Sequence, residues 1–119
     1  MDATEHLPLA PRDLLILAVL SEGPAHGYGL IKAVEARSRS GVLLDPANLY
    51  RVLRRMRNDG WIRQMASPKS TSTRSAGGDG DGSSRRRTYT ITRAGRSILA
   101  AELSRLELLL EQARSTSRA

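Results

Sequence analysis

Apolar residues recur at helical spacing through the first half of the chain. Residues 14–20 are apolar on every side, so the helix that begins near Pro11 is predicted to lie at the centre of the core. A second helix, about residues 26–39, follows the turn residues of SEGPAHG. Its apolar stripe consists of Leu30, Ile31 and Val34. Residues 1–10 show no periodicity and are expected to form a mobile or loosely docked arm.

The third helical segment, DPANLYRVLRRMRNDG, is strongly amphipathic. Asp45 suits an N-cap and Pro46 a first helical residue, while Gly60 ends the segment. The apolar stripe has the i, i+3, i+4, i+7 spacing of a buried face and comprises Leu49, Val52, Leu53 and Met56. This helix is therefore predicted to bury one face and to keep the other polar.

Two short strands are predicted after this helix. WIRQMA is the first, with Trp61 or Ile62 turned inward, and Tyr89 and Ile91 alternate with threonines in the second. The connection, about residues 67–86, is rich in Ser, Gly and Asp and has no large apolar residue, so we expect it to be mobile. The two strands are predicted to pair as one antiparallel hairpin.

The last segment, RAGRSILAAELSRLELLLEQA, predicts a long helix that Thr92 can cap. Its apolar residues have heptad spacing and comprise Leu99, Leu103, Leu106, Leu110 and Ala113. A helix about 30 Å long extends past what a three-helix core can cover, so its exposed apolar length favours a second copy of the chain as partner. Residues 93–119 are accordingly assigned to a dimerisation helix and tail.

Charge and cysteine content limit the classes of partner and compartment. Lys and Arg outnumber Asp and Glu by 19 to 12, and the net charge of +7 favours an anionic partner such as nucleic acid or anionic lipid. The absence of Cys excludes disulfides and thiolate sites and is typical of a reducing compartment. Residues 14–20 are too few to cross a bilayer, and the acidic N-terminal segment is unlike an export signal. We expect a cytoplasmic protein with no membrane partner.

Residues suited to catalysis or metal binding are few. His6 and His26 do not have metal-ligand spacing, and Asp79 and Asp81 lack the glutamate that completes an EF-hand loop. No glycine-rich phosphate loop lies between a strand and a helix. The sequence predicts no enzymatic activity, no cofactor and no metal site.

Three helices followed by a strand, a loop and a strand have the order of a winged helix. We predict a mainly α fold with a small β-hairpin, in which residues 11–92 form a winged helix-turn-helix domain. The polar face of the third helix carries Ala47, Arg51, Arg54, Arg55 and Asn58, and Arg57 lies toward its flank. Arginine forks fit phosphate or guanine, and Asn48 and Tyr50 near the helix start can reach base edges or backbone. Such a face is equally typical of a solvated helix.

The hairpin favours the DNA-binding interpretation. Arg85, Arg86 and Arg87 lie beside its loop, where a basic segment can follow phosphates or enter the minor groove. A solubilising linker has a similar composition. Two other functions stay open: a helical module whose heptad helix binds a different protein, and a sensor whose arginines bind an anionic ligand such as a nucleotide.

Three stretches, LLILAVLSEGPAHGYGLIKAVE, LDPANLYRVLRRMRNDGWI and RRRTYTITRAGR, together resemble the PadR family of bacterial transcriptional regulators. The matching positions are His26-Gly27-Tyr28, Leu49-Tyr50 followed by Leu53, Gly60-x-Ile62 and Thr92-x-x-Gly95-Arg96. The resemblance implies a homodimer that binds a palindromic operator, represses transcription and can respond to a small-molecule effector. It places Tyr28, Asn48, Tyr50 and Arg51 near DNA, with a basic wing on the backbone. The single terminal helix is similar to the shorter branch of the family.

Overall fold

The computed structural model describes residues 6–65 and 87–118, with side chains as far as Ser115. The helices are α1 (Pro11–Glu22), α2 (Gly27–Arg37), α3 (Pro46–Asn58) and α4 (Arg93–Arg118). The strands are β1 (Ala25–His26), β2 (Ile62–Met65) and β3 (Thr88–Ile91). Within these ranges, no helix combines the length and the apolar character that crossing a membrane requires. The mainly α fold with a small antiparallel sheet is confirmed.

The sheet contains one strand more than the predicted hairpin. Its order is β1-β3-β2, with both pairs antiparallel, so β3 is the central strand. The register sets Ala25 of β1 and Gln64 of β2 opposite Tyr89. A strand of two residues shows no alternation that a sequence pattern could detect, so the sequence predicts only a turn at β1. Its pairing ties the α1–α2 connection to the first two residues of β3.

The core combines the helix stripes with the inward side chains of the sheet. Its buried members include Ile16, Leu17, Leu20, Leu30, Val34, Leu49, Val52, Leu53, Met56, Trp61, Ile62, Tyr89, Ile91, Ile98 and Leu99. The predicted stripe of α3 is therefore confirmed in full. In α1, however, Leu15 and Val19 are only half-buried, so this helix is not enclosed on every side as predicted. Each fully buried aliphatic side chain contributes about 1.5 to 3 kcal/mol relative to an exposed one.

Local sequence explains both ends of α3. The Asp45 carboxylate accepts a hydrogen bond from the Asn48 backbone N–H at 2.8 Å, and Pro46 occupies the first turn, where its missing N–H costs nothing. Gly60 follows the helix with φ of 83°, in the left-handed region that glycine adopts readily. Trp61 then donates its N–H to the Met56 carbonyl at 2.9 Å, which turns the chain toward β2.

The arm before α1 packs against the domain over the residues that the structure describes. The His6 ring meets the edge of Trp61 with ring centroids 5.2 Å apart, and Leu9 contacts the core. The Leu9 N–H donates to Oε2 of Glu102 at 2.9 Å, and the Glu102 carboxylate is only 1% exposed. The described part of the arm therefore contacts α4, while the prediction for the first five residues lies outside the described range.

Candidate nucleic-acid interface

The polar face of α3 is turned away from the core, as predicted. Arg51 and Arg54 are exposed, because the buried stripe fixes the rotation of the helix about its axis. Arg57 at the flank donates to Oε1 of Gln64 in β2 at 2.6 Å. The last turn of α3 and the first strand of the wing are thereby joined directly, which sets the position of the helix relative to the wing.

Arg55 is held by a partner that sequence periodicity did not indicate. Its guanidinium donates to Oδ2 of Asp13 in α1 and lies 6.0 Å from the centroid of the Trp61 ring. Asp13 is 5% exposed, and its other oxygen accepts from Nε of Arg12 at 3.2 Å. The carboxylate thus fixes two arginines from two helices. A partner 42 residues away in sequence leaves no signal in helical spacing.

These arginines border a cleft of about 190 Å³ between α1 and α3. The cleft is lined by Arg12, Asn48, Arg51, Val52 and Arg55. Asn48, predicted to reach base edges, lies on this side of α3 and is half-buried, with Nδ2 donating to Oδ2 of Asp45 at 3.0 Å. Three guanidinium groups outnumber the two neighbouring carboxylates, the buried Asp13 and the exposed Asp45, so the cleft carries net positive charge.

The two tyrosines of the predicted interface occupy different environments. Tyr28, in the first turn of α2, is 56% exposed and lies 5.7 Å from the ammonium nitrogen of Lys32. Tyr50 is half-buried and approaches the start of α2, where a Cβ on Gly27 would lie 2.9 Å from Cζ of its ring. Gly27 therefore permits the close contact between α2 and α3, and only Tyr28 presents most of its ring to solvent.

Of the three wing arginines in the prediction, the structure describes Arg87. Arg87 is exposed immediately before β3. The other two basic residues of the prediction, Arg85 and Arg86, lie outside the described residues. Arg87 lies one residue before Thr88, which pairs with Met65 at the end of β2, so Arg87 stands where the paired strands meet the connecting segment.

The predicted dimerisation seam on α4 divides into buried and exposed parts. Leu99 is 7% exposed within the core of its own chain, which corrects its predicted place in the seam, and Leu106 is half-buried. Leu103 and Leu110 are 45% and 51% exposed, and Ala113 is also exposed. Leu108 and Leu109 are likewise about half exposed. The outer half of α4 therefore presents a large uncovered apolar surface, such as typically marks an interaction site.

Comparisons with known proteins give one consistent result. A family model described as "Transcriptional regulator PadR-like family" matches residues 16–101, which is more than half of the chain. A PadR family transcription regulator from Clostridium difficile has a similar structure, with TM-score 0.68 and 22% identity over 90% of this chain and 98% of that chain. A PadR-like regulator from Bacillus cereus has TM-score 0.68 and 19% identity over 90% and 91%. Both show that the fold is shared.

A third structure contains nucleic acid. It is Bacillus subtilis PadR in complex with operator DNA, similar with TM-score 0.61 and 19% identity over 81% of this chain and 47% of that chain. Curated protein sequences gave no match. The similar structures confirm the winged-helix fold, and the family match identifies the sequence relationship.

Proposed function

The chain belongs to the PadR-like family of transcriptional regulators, and we propose that it acts without enzymatic activity, by binding operator DNA as a homodimer and repressing transcription. The observation that carries this proposal is the rotation of α3, which buries its apolar stripe and exposes Arg51 and Arg54. A helix of this kind, next to a two-stranded wing, is the arrangement that places side chains in the major groove. In a bacterium, this role belongs in the cytoplasm.

Within this proposal the polar side chains have two tasks. Arg54 lies on the outermost face of α3 and contacts phosphate, as do Arg85, Arg86 and Arg87 of the wing. Asn48 and Arg51, in the N-terminal half of the helix, contact base edges, because recognition helices read mainly with that half. Tyr28, exposed at the start of α2, contacts the backbone.

In the first step of the test, the wild-type protein selects duplexes from a random pool. The selected sequences also reveal whether the bound sequence is palindromic. Arg54→Ala should weaken binding to all duplexes and lower the slope of log affinity against log salt by roughly 0.9. Asn48→Ala and Arg51→Ala should change the preferred sequence, each base contact being worth about 1 to 3 kcal/mol. Arg37→Ala at the end of α2, where the side chain pairs with Glu22, removes the same charge and should retain both properties. Unaltered selection and affinity in all three α3 variants would refute the proposal.

The homodimer is supported by the uncovered leucines of α4. Leu103→Glu combined with Leu110→Glu places two charges on this surface and should yield a monomer in analytical ultracentrifugation. Ser104→Glu with Ser115→Glu adds the same charge on an exposed polar face of α4 and should leave the mass unchanged. Equal masses for the leucine variant and the wild type would remove this surface from the proposed interface. Release by a small-molecule effector remains a prediction.

A second candidate function, the sensing of an anionic ligand, is favoured by the cationic cleft beside α3. If this function were the correct one, a nucleotide would bind the isolated protein in a calorimetric titration and no duplex sequence would be enriched in the selection. Enrichment of a duplex with no nucleotide binding favours the operator-binding proposal.

A further inference from the structure

The cleft between α1 and α3 has the size and charge of an oxyanion site. Its volume of about 190 Å³ is several times the share of one water molecule in the liquid, which is about 30 Å³, so it admits a tetrahedral anion. Arg12 and Arg55 supply planar guanidinium groups, each able to bond two phosphate oxygens, while Arg51 borders the cleft and is assigned to the base edges. Arg12 belongs to α1, outside the helix-turn-helix, and nothing in its sequence environment indicated a role in binding.

The side chains of the cleft are preorganised by contacts within the protein. Asp13 bonds both Arg12 and Arg55 and is itself buried, so the two side chains share a fixed support. The Trp61 ring lies near the guanidinium of Arg55 and further restricts its rotamers. Because the arginines are already positioned, less side-chain entropy is lost when an anion binds.

We propose that this cleft binds one phosphate group of the DNA backbone, and that Asp13 is a positioning residue that holds Arg12 and Arg55 toward it. The inference rests on the proposed function, because it assigns the phosphate to the duplex that α3 reads. Free phosphate offers the same chemistry, and the experiments below separate the two sources.

The first experiment measures the salt dependence of binding to a mixed-sequence duplex, for which no operator is needed. Arg12→Ala should flatten the slope of log affinity against log salt by roughly 0.9, the amount expected for one lost phosphate contact. Arg37→Ala, which removes an arginine paired with Glu22 at the end of α2, is the matched control and should keep the wild-type slope. If Arg54→Ala flattens the slope and Arg12→Ala does not, the cleft assignment is overturned while the proposed function stands. If the wild type itself does not bind DNA, the proposed function fails, and the phosphate of this cleft is not that of a duplex.

Asp13→Asn separates positioning from simple charge. The substitution removes a negative charge, so general electrostatics predicts tighter DNA binding. If Asp13 positions the arginines, binding should instead weaken although the net charge has become more positive. The Asp13→Glu variant restores the carboxylate and should recover part of the affinity. Tighter binding by a folded Asp13→Asn protein, judged by circular dichroism, would overturn the positioning role.

Inorganic phosphate tests the other source of the same anion. In an NMR titration, the Nε–H signals of Arg12 and Arg55 should shift together when duplex DNA is added, and these shifts should be lost in the Asp13→Asn variant. If inorganic phosphate saturates the same signals and DNA leaves them unmoved, the cleft serves a free anion and the DNA assignment is wrong.

Discussion

The Gly95→Ala substitution tests the corner at which β3 passes into α4. A Cβ on Gly95 would lie less than 3.0 Å from the carbonyl oxygen of Trp61 and 2.8 Å from Cγ1 of Ile91. The same carbonyl accepts the Thr92 N–H at 2.9 Å, and the Gly95 N–H donates to the Thr92 hydroxyl at 3.1 Å. Both sides of the contact are therefore held by hydrogen bonds, one to a backbone carbonyl and one to the Thr92 hydroxyl, and the added methyl group has no free direction in which to move.

The expected loss follows from three contributions. Overpacking of a filled site costs about 1 to 3 kcal/mol, and weakening the Thr92 cap costs about 1 kcal/mol more. Alanine is favoured over glycine in a helix by up to about 1 kcal/mol, which acts in the opposite direction. The free energy of unfolding should therefore fall by about 1 to 3 kcal/mol.

Urea unfolding followed by circular dichroism measures this difference, at one fixed protein concentration because the stability of a dimer depends on it. Gly29→Ala is the control, since a Cβ at this position in α2 meets nothing within 4 Å. It should raise the free energy of unfolding by about 0.4 to 1 kcal/mol, because alanine restricts the unfolded chain. If Gly95→Ala is as stable as the wild type, or gains stability as Gly29→Ala does, the steric argument is wrong.

Two further predictions concern the ends of helices and the docked arm. Arg105 donates hydrogen bonds to the Glu102 carboxylate and thereby lowers its pKa, although burial opposes the shift. The ionised carboxylate therefore stabilises the fold at pH values above its unfolded pKa of about 4.3. This stabilisation is lost as the pH falls through the lower pKa of the folded state. In urea titrations between about pH 6 and 3, the free energy of unfolding should depend less on pH for Glu102→Gln than for the wild type. The control Glu107→Gln should show the same pH dependence as the wild type. Identical curves for all three proteins would contradict the assignment. Asp45→Ala should lower the free energy of unfolding by about 1 kcal/mol because the Asn48 N–H loses its acceptor, whereas Asp45→Asn should retain most of it in the same assay. Equal losses in the two variants would show that the cap hydrogen bond is not the cause.

Local signals explain what could be predicted from the sequence. The beginning of α3 depends on Asp45 and Pro46, which act on the turn that follows them, and its burial depends on residues spaced within four positions. The same holds for the Thr92 cap of α4, which the structure confirms. Elements whose determinants lie within one turn of the chain are therefore predictable without knowledge of the packing.

Long-range packing explains what was missed. Asp13 supports Arg55 only after α1 and α3 have packed, and β1 exists only because β3 lies beside it. Leu99 shows the corresponding limit for apolar residues: heptad spacing identifies a buried face of α4 but does not say whether the same chain or a partner covers it. The arginine face of α3 was predicted correctly, while the geometry that gathers Arg12 beside it required the fold.

The order of strands in the sheet also governs how the protein can form during its synthesis. The middle strand, β3, is the last to leave the ribosome, about 26 residues after β2 ends. At about 5 to 20 residues per second, the backbone groups of β2 wait about one to five seconds for their partner, and those of β1 wait about three to thirteen seconds. Until Thr88 emerges, the nascent chain contains the three helices and two strands, but not the central strand with which both strands pair. Ribosomal pausing within the wing would prolong the period in which two unpaired strands are exposed to chaperones and proteases.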